Sequence, residues 1–232
     1  FFPDFRPPLN LEKLGLTRFH GNFTGFPSDF VAYGNFQTAL GTVQTDLNLK
    51  QPSQPEAASY SGKLSLQEFD IGTLLEAESE LGNITMSGSV EGQGLRLKHL
   101  RTNLRAAVPR LNYHGYTYNK IRVEGAITDE NFRGTLIADD PALGLDFQGG
   151  IDFSKTKPAF DFTADLRHAD LFKLNFVKDS LLVDSRINLD FQASNLNDAE
   201  GQVSLYNTNV SLANRQLTFD SLNLNSLVQE RA

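Results

Sequence analysis

Strict alternation of apolar and polar residues dominates the chain. Between Leu143 and Phe153, Leu143, Leu145, Phe147, Gly149, Ile151 and Phe153 alternate with Gly144, Asp146, Gln148, Gly150 and Asp152, which places every bulky apolar group on one side of an extended strand. The same period recurs in Phe160, Phe162, Ala164 and Leu166, and in Ile187, Leu189, Phe191 and Ala193. Further runs lie at Val43, Leu47 and Leu49; at Tyr60, Leu64 and Leu66; at Ile84, Met86 and Val90; and at Ile121, Val123 and Ile127. About a dozen such runs, punctuated by turn-formers such as Asp129-Glu130-Asn131 and the Ser154 to Pro158 segment, predict an antiparallel all-β chain. Helical character is confined to short turns at Phe69–Leu75, with Glu76–Leu81 as an extension, and at Ala169–Leu174. The Gln51–Ser59 stretch, polar and carrying two prolines, reads as a loop between strands.

Seven glycines (Gly21, Gly34, Gly62, Gly88, Gly125, Gly134 and Gly149) fall on the apolar face, each two positions from a large apolar residue. A mid-strand glycine marks a bend, a bulge or a close approach. Two readings stay open: a tightly curved sandwich or barrel with large residues opposite each gap, or a trough whose floor is kept clear. Weak self-similarity favours elongation over closure. Leu14–Gly25 parallels Leu81–Gly92 in one Leu and three glycines, and Phe69-Asp70-Ile71 with Leu74 parallels Ala169-Asp170-Leu171 with Leu174. No compositional break marks a boundary, so residues 1–232 read as a single fragment of a longer repetitive β-groove protein.

Composition narrows the functions. With 28 acidic against 21 basic residues the net charge is −7, which argues against nucleic acid as a partner. The absence of Cys removes thiol nucleophiles, disulfides and Cys-ligated metals. No stretch approaches the roughly 18 apolar residues of a membrane-spanning helix. The opening Phe1-Phe2-Pro3-Asp4 has neither initiator Met nor signal pattern, which reads as a segment cut from a longer polypeptide.

Catalytic chemistry finds no support. His20, His99, His114 and His168 are scattered without metal-ligand spacing and read as solvated residues. Asp139, Asp140, Asp146 and Asp152 have neither calcium-loop nor glycosidase context and read as a solvated edge. Tyr113, Tyr116 and Tyr118, near Arg110 and Lys120, could stack on a sugar or a base, or simply pack a hairpin. The expectation is a non-enzymatic protein with no catalytic residue, no metal and no cofactor.

The segments Gly21–Gly34, Thr38–Gly41, Tyr60–Gly72, Gly115–Tyr118 and Leu143–Phe153 together resemble the central periplasmic part of the TamB family (translocation and assembly module inner-membrane component) and, more loosely, its AsmA-like relatives. The motifs are structural Gly/Leu/Asp patterns. The resemblance implies an elongated, curved antiparallel sheet forming an open hydrophobic groove, the β-taco, with few short helical turns. It also implies the periplasm of a Gram-negative bacterium, an inner-membrane anchor elsewhere in the full-length protein, and the outer-membrane barrel TamA as a partner through regions outside this fragment. Function would be carriage of phospholipid between the two membranes and support of outer-membrane protein assembly. On that reading phospholipid acyl chains would contact Phe19, Phe23, Met86, Val90, Val123, Leu143, Leu145, Phe147, Ile151, Phe153, Phe160, Phe162, Ile187, Leu189 and Phe191. The alternatives are a chaperone-like surface that receives nascent outer-membrane strands by edge pairing, and a closed β-sandwich for carbohydrate binding or adhesion. An outer-membrane barrel is disfavoured by the lack of Trp for an aromatic girdle.

Overall fold

The computed structural model describes residues 11–26, 29–50, 57–94, 97–193, 198–212 and 215–226. The chain is all-β. Thirteen strands run β1 (Arg18–Phe26), β2 (Asp29–Thr38), β3 (Gly41–Lys50), β4 (Ser59–Asp70), β5 (Leu81–Gln93), β6 (Arg101–Tyr113) and β7 (Tyr116–Thr128). They continue as β8 (Asn131–Asp140), β9 (Leu143–Asp152), β10 (Ala159–Asp170), β11 (Leu181–Gln192), β12 (Glu200–Leu212) and β13 (Arg215–Ser226). They form one antiparallel sheet in which the order of strands is the order along the chain. A meander of this kind follows from short polar connections between period-two runs, because each strand has no route but back alongside its predecessor. The expected loop lies mostly outside the described residues, since only Ala57 to Ser59 of it are described.

The chain divides into two compact units, residues 1–118 and 119–232. Each contains the same sequence of devices. In the first unit the β2–β3 turn is held by Thr38 Oγ1, which accepts from Leu40 N, and Leu40 O accepts from Asp70 N at the end of β4. In the second, Asp140 Oδ1 accepts from Ala142 N, and Ala142 O accepts from Asp170 N at the end of β10. Bulges interrupt β4 between Leu66 and Phe69 and β10 between Leu166 and Ala169, with Glu68 (φ 45°) and His168 (φ 40°) in the left-handed region. Both strands then run into one helical turn. Asp70 caps the short helix α1 (Ile71–Leu75), which ends at left-handed Glu76 with Ala77 N donating to Gly72 O. Asp170 Oδ1 accepts from Lys173 N, and the turn ends at left-handed Asn175 with Phe176 N donating to Leu171 O. These are paired Schellman-type stops, and they end α1 at Leu75, short of the Glu76–Leu81 extension. A left-handed residue cannot continue a right-handed helix.

The Asp70/Asp170 likeness seen in the sequence is therefore a structural repeat. The Leu14–Gly25/Leu81–Gly92 likeness is not, because the device order aligns β2–β4 with β8–β10, and β5 with β11.

Deep burial is concentrated at the ends of strands where these turns close. Leu66, Phe69 and Val108 are buried in the first unit, and Ile121, Ala138, Ala142, Ala169 and Leu174 in the second.

Candidate functional site

The strand registers line the predicted apolar residues up in rows across the sheet. In the second unit one row is Val123, Leu136, Phe147, Ala164, Ile187, Leu205 and Leu222. The next is Gly125, Gly134, Gly149, Phe162, Leu189, Val203 and Leu224, and the third opens with Ile127, Phe132, Ile151, Phe160 and Phe191. Leu145 stands between Ala138 and Leu166, and Leu143 opposite Asp140. Phe153 lies one residue past β9 and meets Phe160 edge-on at 6.4 Å between centroids. In the first unit Phe19 pairs with Phe36 at 4.5 Å, Phe23 stands opposite Ala32 with its ring 4.7 Å from Phe30, Met86 faces Leu66, and Val90 faces Gly62 and Leu104.

These residues share a face but do not bury it. Phe19, Phe23 and Phe153 are exposed, and the other twelve candidates are half-buried. Among the described residues all thirteen strands belong to one sheet. A sandwich core would drive such rows to near-zero accessibility. Several residues of the same rows were not among the expected acyl-chain contacts, among them Leu136, which the alternation does place on the apolar face, and Leu205, Leu222 and Leu224. On β12 the reason is Asn207 (φ 49°), which shifts the inward side from Leu205 to Thr208 and breaks the period-two signal. Thr208 is buried there with Ser185, their hydroxyls 2.7 Å apart, so the polar atoms satisfy each other inside the apolar face.

Five of the seven mid-strand glycines do not hold an open floor. The ring of Phe19 overlies Gly21 and Gly34, that of Phe132 overlies Gly125 and Gly134, and Phe162 abuts Gly149. A small residue on one strand accommodates a ring from the same or the next strand, as aromatic side chains cover glycine in other sheets. At these five positions the structure follows the reading in which a large residue fills the gap, whereas the atoms nearest a Cβ on Gly62 or Gly88 belong to Asp46, Leu47, Arg105 and Ala106.

The opposite face is polar and laced by ion pairs between strands. Arg133 meets Asp161 at 3.3 Å, Arg167 meets Asp146 at 2.6 Å and Arg186 meets Asp165 at 3.2 Å. The hydrogen bond that Arg167 donates to Asp146 is the main cause of its raised pKa. Shallow hollows also open on this side, one of them of about 680 Å³ beside Gln148, Thr163 and Asn188. Asp140 departs from the expected solvated edge. It is 2 % exposed and accepts from Asn119 N at 2.9 Å, Asn119 Nδ2 at 3.0 Å and Ala142 N at 2.8 Å, so its carboxylate is buried as a turn clamp. Its neighbour Asp139 is exposed beside Lys120. The tyrosines pack a hairpin: Tyr118 is buried, with Tyr116 edge-on at 4.9 Å and Tyr113 at 6.2 Å. Among the described residues no group of His, Asp and Glu could hold a metal ion.

No family model, curated protein or solved structure matches the chain.

Proposed function

We propose that this chain is a non-enzymatic, TamB-like periplasmic segment whose apolar face receives phospholipid acyl chains, and which thereby serves lipid passage between membranes and outer-membrane protein assembly. The observation that carries the reading is the row from Val123 through Phe147 to Ile187, whose large side chains are only half-buried on a single sheet. Each CH₂ of an acyl chain laid on such a face leaves water with a gain of roughly 0.8 kcal/mol. The attraction is non-directional and asks for no hydrogen-bond partner, so a chain can slide from row to row. Contact with TamA belongs to regions outside these residues.

A photo-crosslinking residue at Phe147 or Phe162 is expected to trap phospholipid, with lipid identified by mass spectrometry of the adduct. Labelling confined to outward Gln148 or Asp161 overturns the proposal.

One observation favours a second reading. All nine residues of β1 are exposed and, among the described residues, β2 is its one strand neighbour, so its outer edge is available to an incoming strand. A proline in β1 would then impair function more than a charge at Phe147.

A further inference from the structure

The connection from β10 to β11, residues 171–180, carries two large rings that its structural counterpart lacks. It shares with the α1 turn an Asp cap, a left-handed stop and a Schellman-type hydrogen bond. Counting from the caps, Phe172 takes the place of Gly72; counting from the stops, Phe176 takes the place of Ala77. The fold makes this turn with Gly and Ala, so the rings are not needed to build it. They are also not folded inward: Phe172 is 50 % and Phe176 51 % exposed, while Leu174 between them is 1 % exposed and anchors the turn. Lys173, whose Nζ also meets Asp170 at 3.2 Å, lies between the two rings, and Lys178 follows them beside Asp179, where the first unit has Thr73 and, beyond its stop, Glu78 and Glu80.

We propose that this turn is a docking tip for a phospholipid surface, with Phe172 and Phe176 entering the headgroup region and the two lysines at the level of the phosphates. Size selects the partner. Two half-exposed rings present roughly 200 Å² of apolar surface, far short of the about 800 Å² that each side contributes to a stable protein–protein interface. A small apolar knob beside cationic side chains on a rigid base suits instead a fluid surface that closes around it. The acidic first-unit turn, which carries Leu75 as its exposed apolar residue, lacks that combination. Docking stands on this turn alone; the lipid reading of the apolar face concerns the later seating of acyl chains.

The chain has no Trp, so Phe176→Trp gives a single clean reporter. With vesicles of phosphatidylethanolamine and phosphatidylglycerol, its emission is expected to shift to the blue and to be quenched by lipids brominated near the headgroup. Phe172→Gly with Phe176→Ala, the residues of the sister turn, is expected to lower co-sedimentation with the same vesicles about a hundredfold while leaving the thermal melt in place. If that pair melts early, Phe172→Ser with Phe176→Ser replaces it. Unmoved Trp emission, wild-type vesicle binding by the folded double variant, binding abolished by high salt alone, or self-association through the rings without vesicle binding would each overturn the proposal. Crosslinking at Phe147 reports on the apolar face separately, so either idea can fail alone.

Discussion

The ring of Phe132 on β8 lies over Gly125 on β7: a Cβ built on Gly125 would stand 2.9 Å from Phe132 Cε2 and 2.6 Å from Arg133 O. Neither neighbour is a flexible chain end, because one is backbone and the other a ring seated between strands. Gly125→Ala is therefore expected to cost about 1–3 kcal/mol, the usual range for overpacking. Urea unfolding of the two proteins measures it, and an unchanged midpoint would show that the ring swings aside freely.

Asp140 is the polar group on which the start of the second unit closes. Replacing it by Ala leaves Asn119 N and Ala142 N without their acceptor in a buried setting. A loss of about 3 kcal/mol is expected. Asp140→Asn, which keeps an acceptor oxygen, should recover part of it. Hydrogen exchange at the Asn119 and Ala142 amides reads the same event locally, and protection that survives the Ala variant would count against the clamp.

Asp70 gives the fold a predictable acid limb. Hydrogen bonds from the Thr73 side chain and backbone hold its pKa below the ordinary 3.8. A folded value below the unfolded one means that this contribution is complete above the unfolded pKa and disappears as pH falls through the folded one. Asp152, held low mainly by the Ser154 hydroxyl, acts in the same direction. Asp70→Asn keeps a competent cap without the charge, so its stability should decline less than that of the wild type between pH 6 and pH 3. Parallel declines in thermal midpoint would refute the assignment.

Phe147→Arg puts a charge in the middle of the Val123–Ile187 row, whereas Gln148→Arg puts the same group on the wet side of the same strand. The first should abolish lipid recovery with the purified protein and lower stability locally, and the second should do neither. Equal lipid recovery from both variants would remove the apolar face from the mechanism.

Most of the sheet is legible in the sequence because period two survives wherever a strand is regular. The Leu143 to Asp152 run illustrates this: it forms β9, whose register with β8 and β10 runs without a slip. Legibility fails where the backbone slips. Glu68, His168 and Asn207 each take a left-handed conformation that changes which side faces inward, and none is a glycine that would have signalled it. Asp140 reads as surface because a carboxylate beside another carboxylate ordinarily is; its burial depends on a backbone amide 21 positions away. The glycines are visible, but the rings that cover them come partly from neighbouring strands, whose register no single strand encodes.

The corresponding floor positions of the two units carry one further implication. Leu47 on β3 faces Gly62 on β4 in the first unit, while Gly149 on β9 faces Phe162 on β10 in the second. Bulk has changed strands, and each pair keeps one side chain and one gap, with both glycines at strongly positive φ. Selection at such a site acts on the couple, so lineages that diverge here should exchange large for small on both strands together and seldom on one alone.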